Sequence, residues 1–269
     1  MIIAAYSGVG KTTFAARFEN AADAVSMPWH RILPPKESED GEREKGRADV
    51  LTDPLYPENY IVNILRSERE YDYVLIPTDM EVVRRLREEY GRKVVLCYPA
   101  DELKEEYRER FVSRGNSEEF LDLFIGDWDV FLGPVREYGN AVHIVMGAGE
   151  HLTDLKERLD RELLSDETKP VSEETIADLE QETRSRRRDF ALCFNFRFWY
   201  RIPDILDPDE RLFLTEISRR TYGGLFILPL SDADDFLAPD GVITDDKAQV
   251  TEYLERHNSE GILCAAEEE

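Results

Sequence analysis

The sequence predicts an α/β protein: a parallel sheet covered by helices on both faces, followed by a second, smaller α/β unit. Three observations carry that expectation. Short, almost unbroken apolar runs alternate with segments of helical periodicity over residues 1–164, the pattern of strands buried on both faces. The first run, Met1-Ile2-Ile3-Ala4, leads through a glycine-bearing turn straight into a helical pattern. Residues 165–189 are polar and charged, and apolar patterning restarts at Phe190. The expected organisation is a domain over 1–164, a charged linker or helix over 165–189, and a small α/β unit of unknown role over 190–269.

In chain order, strands are expected over Ile2–Tyr6, Ala24–Met27, Tyr73–Pro77, Lys93–Tyr98 and Ala141–Met146. The first helix, Lys11–Asn20, sets Phe14 and Phe18 four apart on one face. Pro57 opens a helix over Pro57–Ser67, at a position where a missing N–H costs nothing. Asp79–Tyr90 carries Val82, Val83, Leu86 and Tyr90 at helical spacing, and Ser117–Trp128 carries Phe120, Leu121, Phe124, Ile125 and Trp128. Thr153 reads as the N-cap of a helix over Asp154–Leu164. Glu173–Arg188 reads as a solvated helix whose basic end, Arg184-Ser185-Arg186-Arg187-Arg188, complements the helix dipole.

Beyond the linker, Ala191–Ile202, Leu225–Leu230 and Gly261–Ala265 read as strands, with helices over Pro208–Thr221 and Asp245–His257. These strands either form a sheet of their own or extend the first. No motif in this part carries a nameable chemistry, which leaves a protein partner as one use for it.

Composition narrows the function classes. Hydrophobic residues make up 42% of the 269, enough for globular folding. The densest apolar run, Leu192–Ile202, is broken by Asn195, Arg197 and Arg201, so no membrane span is expected. The chain starts on its first strand, which leaves no room for a signal peptide ahead of it. Cys97, Cys193 and Cys264 are widely spaced, which argues against a zinc site or a disulfide framework and suits a reducing cytoplasm. The formal charge of −24 repels polyanions and speaks against nucleic acid as a general partner. A small anionic substrate can still bind where local arginines overrule that field.

The turn after the first strand reads Ala5-Tyr6-Ser7-Gly8-Val9-Gly10-Lys11-Thr12 and continues into Thr13. It fits a phosphate-binding loop in its relaxed form, with Ala5 in place of the first glycine. Glycines let backbone N–H groups turn inward around a phosphate, and the helix N-terminus adds partial positive charge. Residues Ser7, Gly8, Val9, Gly10, Lys11, Thr12 and Thr13 are the expected nucleotide contacts. Lys11 would reach the β- and γ-phosphates, and the Thr12 hydroxyl would ligate Mg²⁺.

Such a loop says nucleotide rather than reaction. No Asn-Lys-x-Asp string points to guanine, and no apolar run ends in Asp-Glu; the nearest, Val74–Asp79, ends in Thr78-Asp79. One string points to phosphoryl transfer. Within Glu105–Asn116, Arg110 and Arg114 lie on one helical face, just before a Gly115-Asn116 stop. Such a pair can neutralise charge spreading over a transferred phosphoryl group, or it can belong to a surface helix laced with Glu–Arg pairs. Arg108 falls off that face. Asp79 either acts on Mg²⁺ or the acceptor hydroxyl or caps the following helix. The irregular stretch Ser26–Asp53 offers acceptor contacts: Ser26 at a strand end, Trp29 to stack on a base or cover core, and Arg47 to meet a phosphate.

With these features the chain resembles nucleoside monophosphate kinases. More narrowly, Tyr-Pro-Glu-Asn-Tyr-Ile at 56–61, Tyr-x-x-Arg-x-x-x-Arg-Gly-Asn at 107–116 and Trp128 resemble small P-loop kinase-like ATP-binding proteins of bacteria and their phages. The resemblance covers residues 1–155. It implies a three-layer domain with a five-stranded parallel sheet in order 2-3-1-4-5 and the nucleotide over the carboxyl ends of the strands. It also implies ATP as donor and Arg110 and Arg114 as lid residues; the acceptor arginines of adenylate kinases have no clear counterpart. The function expected from all of this is an ATP-dependent, Mg²⁺-using phosphotransferase acting on a nucleotide, nucleoside or similar small acceptor. The alternatives are an ATP-binding regulatory module without turnover, or a kinase of a nucleic-acid end or modified base, which the acidity disfavours.

Overall fold

The computed structural model describes residues 1–32, 51–195, 197–220 and 225–259. Arg47 and the expected strand Gly261–Ala265 lie outside the described residues. In order, the elements through residue 164 are β1 (Ile2–Ala5), α1 (Lys11–Arg17), β2 (Ala21–Asp23), α2 (Met27–His30), α3 (Glu58–Glu70), β3 (Tyr73–Ile76), α4 (Met80–Glu88), β4 (Val94–Pro99), α5 (Lys104–Ser113), α6 (Glu118–Leu121), α7 (Trp128–Glu137), β5 (Val142–Met146) and α8 (Lys156–Leu164). Then come α9 (Glu173–Arg186), β6 (Phe190–Asn195), β7 (Phe198–Arg201), α10 (Pro208–Arg220), β8 (Phe226–Pro229), α11 (Ala233–Phe236), β9 (Val242–Thr244) and α12 (Lys247–Ser259).

The first five strands form one parallel sheet in order β2-β3-β1-β4-β5. Every residue of β1, β3 and β4 is buried, whereas the edge strands β2 and β5 are only partly so. Central strands covered on both faces need apolar residues at every position, and that is why they read as unbroken runs. The register, Ile2 beside both Val74 and Val94, brings the carboxyl ends of β1, β3 and β4 to one edge. Asp79 accepts from the Glu81 and Val82 amides and so caps α4; of its two expected roles, this is the one the geometry displays.

Four expectations need correction. Thr153 is not an N-cap: His151 caps a 3₁₀ turn over Leu152–Leu155 that leads into α8. The second strand lies at Ala21–Asp23, not Ala24–Met27: its register against Tyr73–Leu75 comes first, and Val25 and Met27 are exposed. The helix expected over Ser117–Trp128 is α6, then a π-helical turn over Asp122–Gly126, then α7 starting at Trp128. Within that turn the Phe124 carbonyl accepts the Tyr6 hydroxyl at 2.6 Å, an alternative to the α-helical ladder. The single strand expected over Ala191–Ile202 is the hairpin β6–β7, with Leu192 opposite Tyr200 and Cys193 opposite Trp199.

That hairpin is the centre of a separate sheet, ordered β8-β6-β7-β9, in which only the β7–β9 pair is parallel. Both faces of it are apolar. Leu192, Phe194, Phe198 and Tyr200 join Leu214, Ile217, Val250 and Leu254 on one side, and Ala191, Cys193 and Trp199 face Leu228, Ala233, Leu237 and Ile243 on the other.

The chain divides into two compact units, Met1–Ser26 with Tyr60–Ile176, and Met27–Asn59 with Ala177–Glu269. Both are discontinuous, whereas the sequence predicts contiguous boundaries. Within the second unit, Ile32 and Leu51 enter the core, and Arg211 donates to the Ile32 carbonyl at 2.8 Å. The basic run at the end of α9 is consumed by ion pairs: Arg184 with Glu180, Arg186 with Glu58, Arg187 with Asp53 and Arg188 with Asp204. Ile176, Thr183 and Arg187 are buried, so the stretch is more than a solvated linker. Among the described residues no helix is long and apolar enough to cross a membrane.

The first unit also buries an ion pair that no pattern announced. Arg92 meets Glu68 through two bonds of 2.6 and 2.8 Å, and its third nitrogen donates to the Lys169 carbonyl. Both side chains are almost wholly buried. Glu68→Ala would strand a buried cation, and urea melts should record a loss of about 3–5 kcal/mol. Glu89→Ala, which breaks an exposed pair with Arg85, should cost under ~1 kcal/mol. Equal costs for the two variants would mean that burial adds nothing to the Arg92–Glu68 pair.

Candidate functional site

The loop between β1 and α1 begins where Ala5 leaves the sheet and ends at Gly10, the N-cap of α1. Gly8 and Gly10 have φ of 83° and 96°, a left-handed conformation that other residues rarely adopt. Gly8 is also crowded, since a Cβ there would lie 2.7 Å from Phe111 Cε1 on α5. Val9 is buried, and its carbonyl accepts the Leu152 amide at 2.9 Å. Glycine positions, an apolar anchor and a helix start thus hold a turn of backbone over the end of β1. A turn of this form can hold an anion through its N–H groups.

Lys11 sits at the first position of α1 with its Nζ donating to the Ala5 carbonyl at 2.7 Å and the Tyr6 carbonyl at 3.2 Å. Burial pulls its pKa down to about 8, the Asp23 carboxylate opposes that, and Arg114 adds to it. An ammonium held this way is poorly solvated and gains from an arriving anion. Thr12 and Thr13 are exposed, while Ser7 and Gly8 are half-buried. The Thr12 hydroxyl donates to Asp23 Oδ2 at 2.7 Å.

Helix α5 brings its arginines to this turn. Tyr107 and Phe111 are buried beside Gly8. Arg110 stacks over the Tyr107 ring with its guanidinium carbon 4.7 Å from the centroid. It donates to the Gly8 carbonyl at 3.4 Å, the Glu150 carbonyl at 3.1 Å and Glu106 at 2.5 Å. Arg114, exposed at the end of α5, is close enough to Lys11 to depress its pKa. Arg108 is exposed, as its place off that face predicts. The aromatic rings of Tyr6, Tyr107, Phe124 and Trp128 pack within 5.6–6.1 Å of their neighbours and tie α5, the π-helical turn and α7 to the start of the loop.

Of the remaining expected site residues, Ser26 follows β2 in the first unit, and Trp29 belongs to α2 in the second, where its carbonyl accepts from Asn59. Sequence reasoning missed three groups. Asp23 ends β2 and meets Thr12; placing the strand three residues too late put Ser26 at that end instead. Glu106 links Arg110 to the Gly149 amide at 3.0 Å. The segment Gly147–Leu152 after β5 meets Arg110 through the Glu150 carbonyl and the loop through the Leu152 amide, and its paired glycines were the available signal. The cavity bordered by Arg87, Lys93, Asn140 and Val142 lies at the other edge of the sheet, where β4 and β5 begin. Among the described residues no group of three or more His, Cys, Asp or Glu side chains could hold a metal.

No protein-family model matches the chain, and no curated protein matches its sequence.

The crowding at Gly8 gives a direct test. Gly8→Ala meets both a positive φ and the edge of Phe111, whereas Gly91→Ala meets a φ of 61° in open space. The second substitution should cost about 1 kcal/mol of backbone strain and the first clearly more. Thermal melts of the two variants measure this, and equal losses would mean that Phe111 gives way freely.

Proposed function

We propose that this chain is an ATP-dependent phosphotransferase acting on a nucleotide, a nucleoside or a similar small acceptor. One observation carries the reading: Lys11, at the head of a helix behind a left-handed glycine turn, has near the same turn Arg110 of α5 and Arg114 at its C-cap. A bound MgATP would supply the transferable γ-phosphoryl group. The amides of Ser7 to Thr13 and the Lys11 ammonium would hold the phosphates, and the Thr12 hydroxyl would face the cation. Arg110 and Arg114 would meet the charge that spreads over the phosphoryl group during transfer. Within the first unit Ser26 remains the acceptor contact of this reading, and the cytoplasm is its compartment.

An ATP-binding regulatory module without turnover draws on a different observation. The Arg110 guanidinium is already engaged by Glu106 and two carbonyls, which suits a structural clasp. An ATP-consumption screen against nucleosides and nucleoside monophosphates separates the two: acceptor-dependent turnover supports the first reading, tight binding without turnover the second.

Lys11→Met should abolish turnover and weaken ATP binding while leaving the melting temperature close to that of the parent; undiminished transfer would remove the reading. Arg110→Ala and Arg114→Ala should lower kcat on the order of 10³-fold with smaller effects on ATP affinity. Rates close to the parent's in both would leave the 107–116 string as a charged helix only.

The depressed Lys11 pKa has its own consequence. An anion binds the protonated amine, so binding raises the pKa and takes up a proton wherever free Lys11 is partly neutral. ATP affinity should therefore hold below about pH 8 and fall as pH rises past it. Titration calorimetry in buffers of different ionisation enthalpy reads the proton uptake, and a flat affinity from pH 7 to 9.5 would contradict it.

A further inference from the structure

We infer that the row of half-buried aromatic rings over residues 117–131 is a docking surface, and that its occupant is a cationic amphipathic helix of a partner protein. The inference stands on that surface alone and does not depend on the phosphotransferase reading.

Helix α6, the π-helical turn and the start of α7 set three phenylalanines side by side. The Phe120 and Phe124 ring centroids lie 4.4 Å apart, and Phe124 stacks on Phe131 at 5.1 Å. All three rings are half-buried, whereas Phe111, which meets both Phe120 and Phe124, is closed off completely. Next to them in the chain, Leu123 and Val130 are 46% and 71% exposed. Single exposed apolar residues need no explanation, but a continuous row of rings with two open aliphatic side chains beside it marks a contact site. The row is also held in place. The π-helical turn frees the Phe124 carbonyl from the α-helical ladder, the Tyr6 hydroxyl donates to it at 2.6 Å, and Ile125 is buried. A surface fixed in this way loses little freedom when a partner binds.

Charge decides the kind of partner. Glu118, Glu119, Asp122, Asp127 and Asp129 are all exposed, and no residue from 117 to 131 is basic. On other helices of this chain acids are met by arginines four residues away, as in Arg85–Glu89, Glu216–Arg220 and Glu252–Arg256. The cations that flank this segment in the chain do not cover it: Arg114 lies near Lys11, and Arg136 is shared between Asp101 and Asp129. An apolar strip with an acidic rim repels polyanions and anionic membranes, and it attracts a segment that sets Lys and Arg beside apolar side chains. A helix with one apolar and one basic face fills such a strip along its length. A second copy of this chain is a poor match, because its basic run at the end of α9 is taken up by Glu180, Glu58, Asp53 and Asp204.

The test uses the full chain and a panel of fluorescent synthetic peptides of about four helical turns, with Leu and Trp on one face and Lys and Arg on the other. Each peptide has a scrambled twin of the same composition and an acidic twin with Glu in place of its cations, and anisotropy reads binding. At least one amphipathic peptide should bind with a Kd below about 100 μM, roughly tenfold tighter than its scrambled twin, and its acidic twin should not bind. Leu123→Ser with Val130→Ser should weaken that binding about tenfold or more. Asp122→Asn with Asp127→Asn should weaken it too and flatten its dependence on salt. All four side chains are exposed, so both double variants should melt close to the parent. The inference is overturned if no peptide of the panel binds up to about 1 mM, or if both double variants keep the parent's affinity. Sedimentation that shows the parent dimerising through this face, with the dimer lost in the Leu123 and Val130 variant, would replace the partner with a second copy. Binding of anionic lipid vesicles that the same variant abolishes would replace it with a membrane.

Discussion

At Gly8 the backbone passes so close to the edge of Phe111 that the ring occupies the space a side chain would need. That approach lets α5 lie against the turn, and much of the site depends on it. Tyr107 and Phe111 are the buried face of α5, so Glu106 and Arg110, each one residue before a buried aromatic, are delivered to the Gly149 amide and the Gly8 carbonyl. The Val9 carbonyl clasps the Leu152 amide from the other side. A turn held by two neighbours has little freedom, and a rigid row of N–H groups is the form in which backbone dipoles are most effective.

Around this turn the charges are few and differently placed in energy. Lys11 is half-buried and depressed in pKa, Arg110 is engaged by one carboxylate and two carbonyls, and Arg114 is exposed. Such an arrangement separates a poorly solvated ammonium from a guanidinium that is already positioned and one that is exposed. Elsewhere the arginines are structural. The run ending α9 is taken up by Glu58, Asp53 and Asp204 within the second unit and by Glu180 within the helix. A basic string in a chain this acidic is therefore explained by its own carboxylates, without a polyanion.

The second unit illustrates a different constraint. Its β6–β7 hairpin is apolar on both faces because two separate clusters cover it, one built from α10 and α12 and one from the region around β8 and β9. A strand pair buried on both sides loses the in–out alternation that would reveal its register. The turn between its strands also lacks glycine and proline, which is why the sequence predicts one long strand where two short ones form.

What the sequence determined by itself was local in origin. Unbroken apolar runs identified β1, β3, β4 and β5 to within a residue or two, and the spacing of Val82, Val83 and Leu86 identified α4. The Gly8-Val9-Gly10-Lys11-Thr12 string identified the turn, since its glycines act on backbone geometry at their own positions. Tertiary structure alone decided the rest, because it depends on pairing between distant segments. Register against β3 moved β2 back to residues 21–23 and so set Asp23, rather than Ser26, beside Thr12. The Tyr6 hydroxyl on the Phe124 carbonyl accompanies the π-helical turn, and burial gave Arg92 to Glu68. The pairing of Ile32 and Leu51 with a core formed after residue 190 made the units discontinuous. Contacts across such sequence distances leave no periodic trace in the chain, and only the folded arrangement brings their partners together.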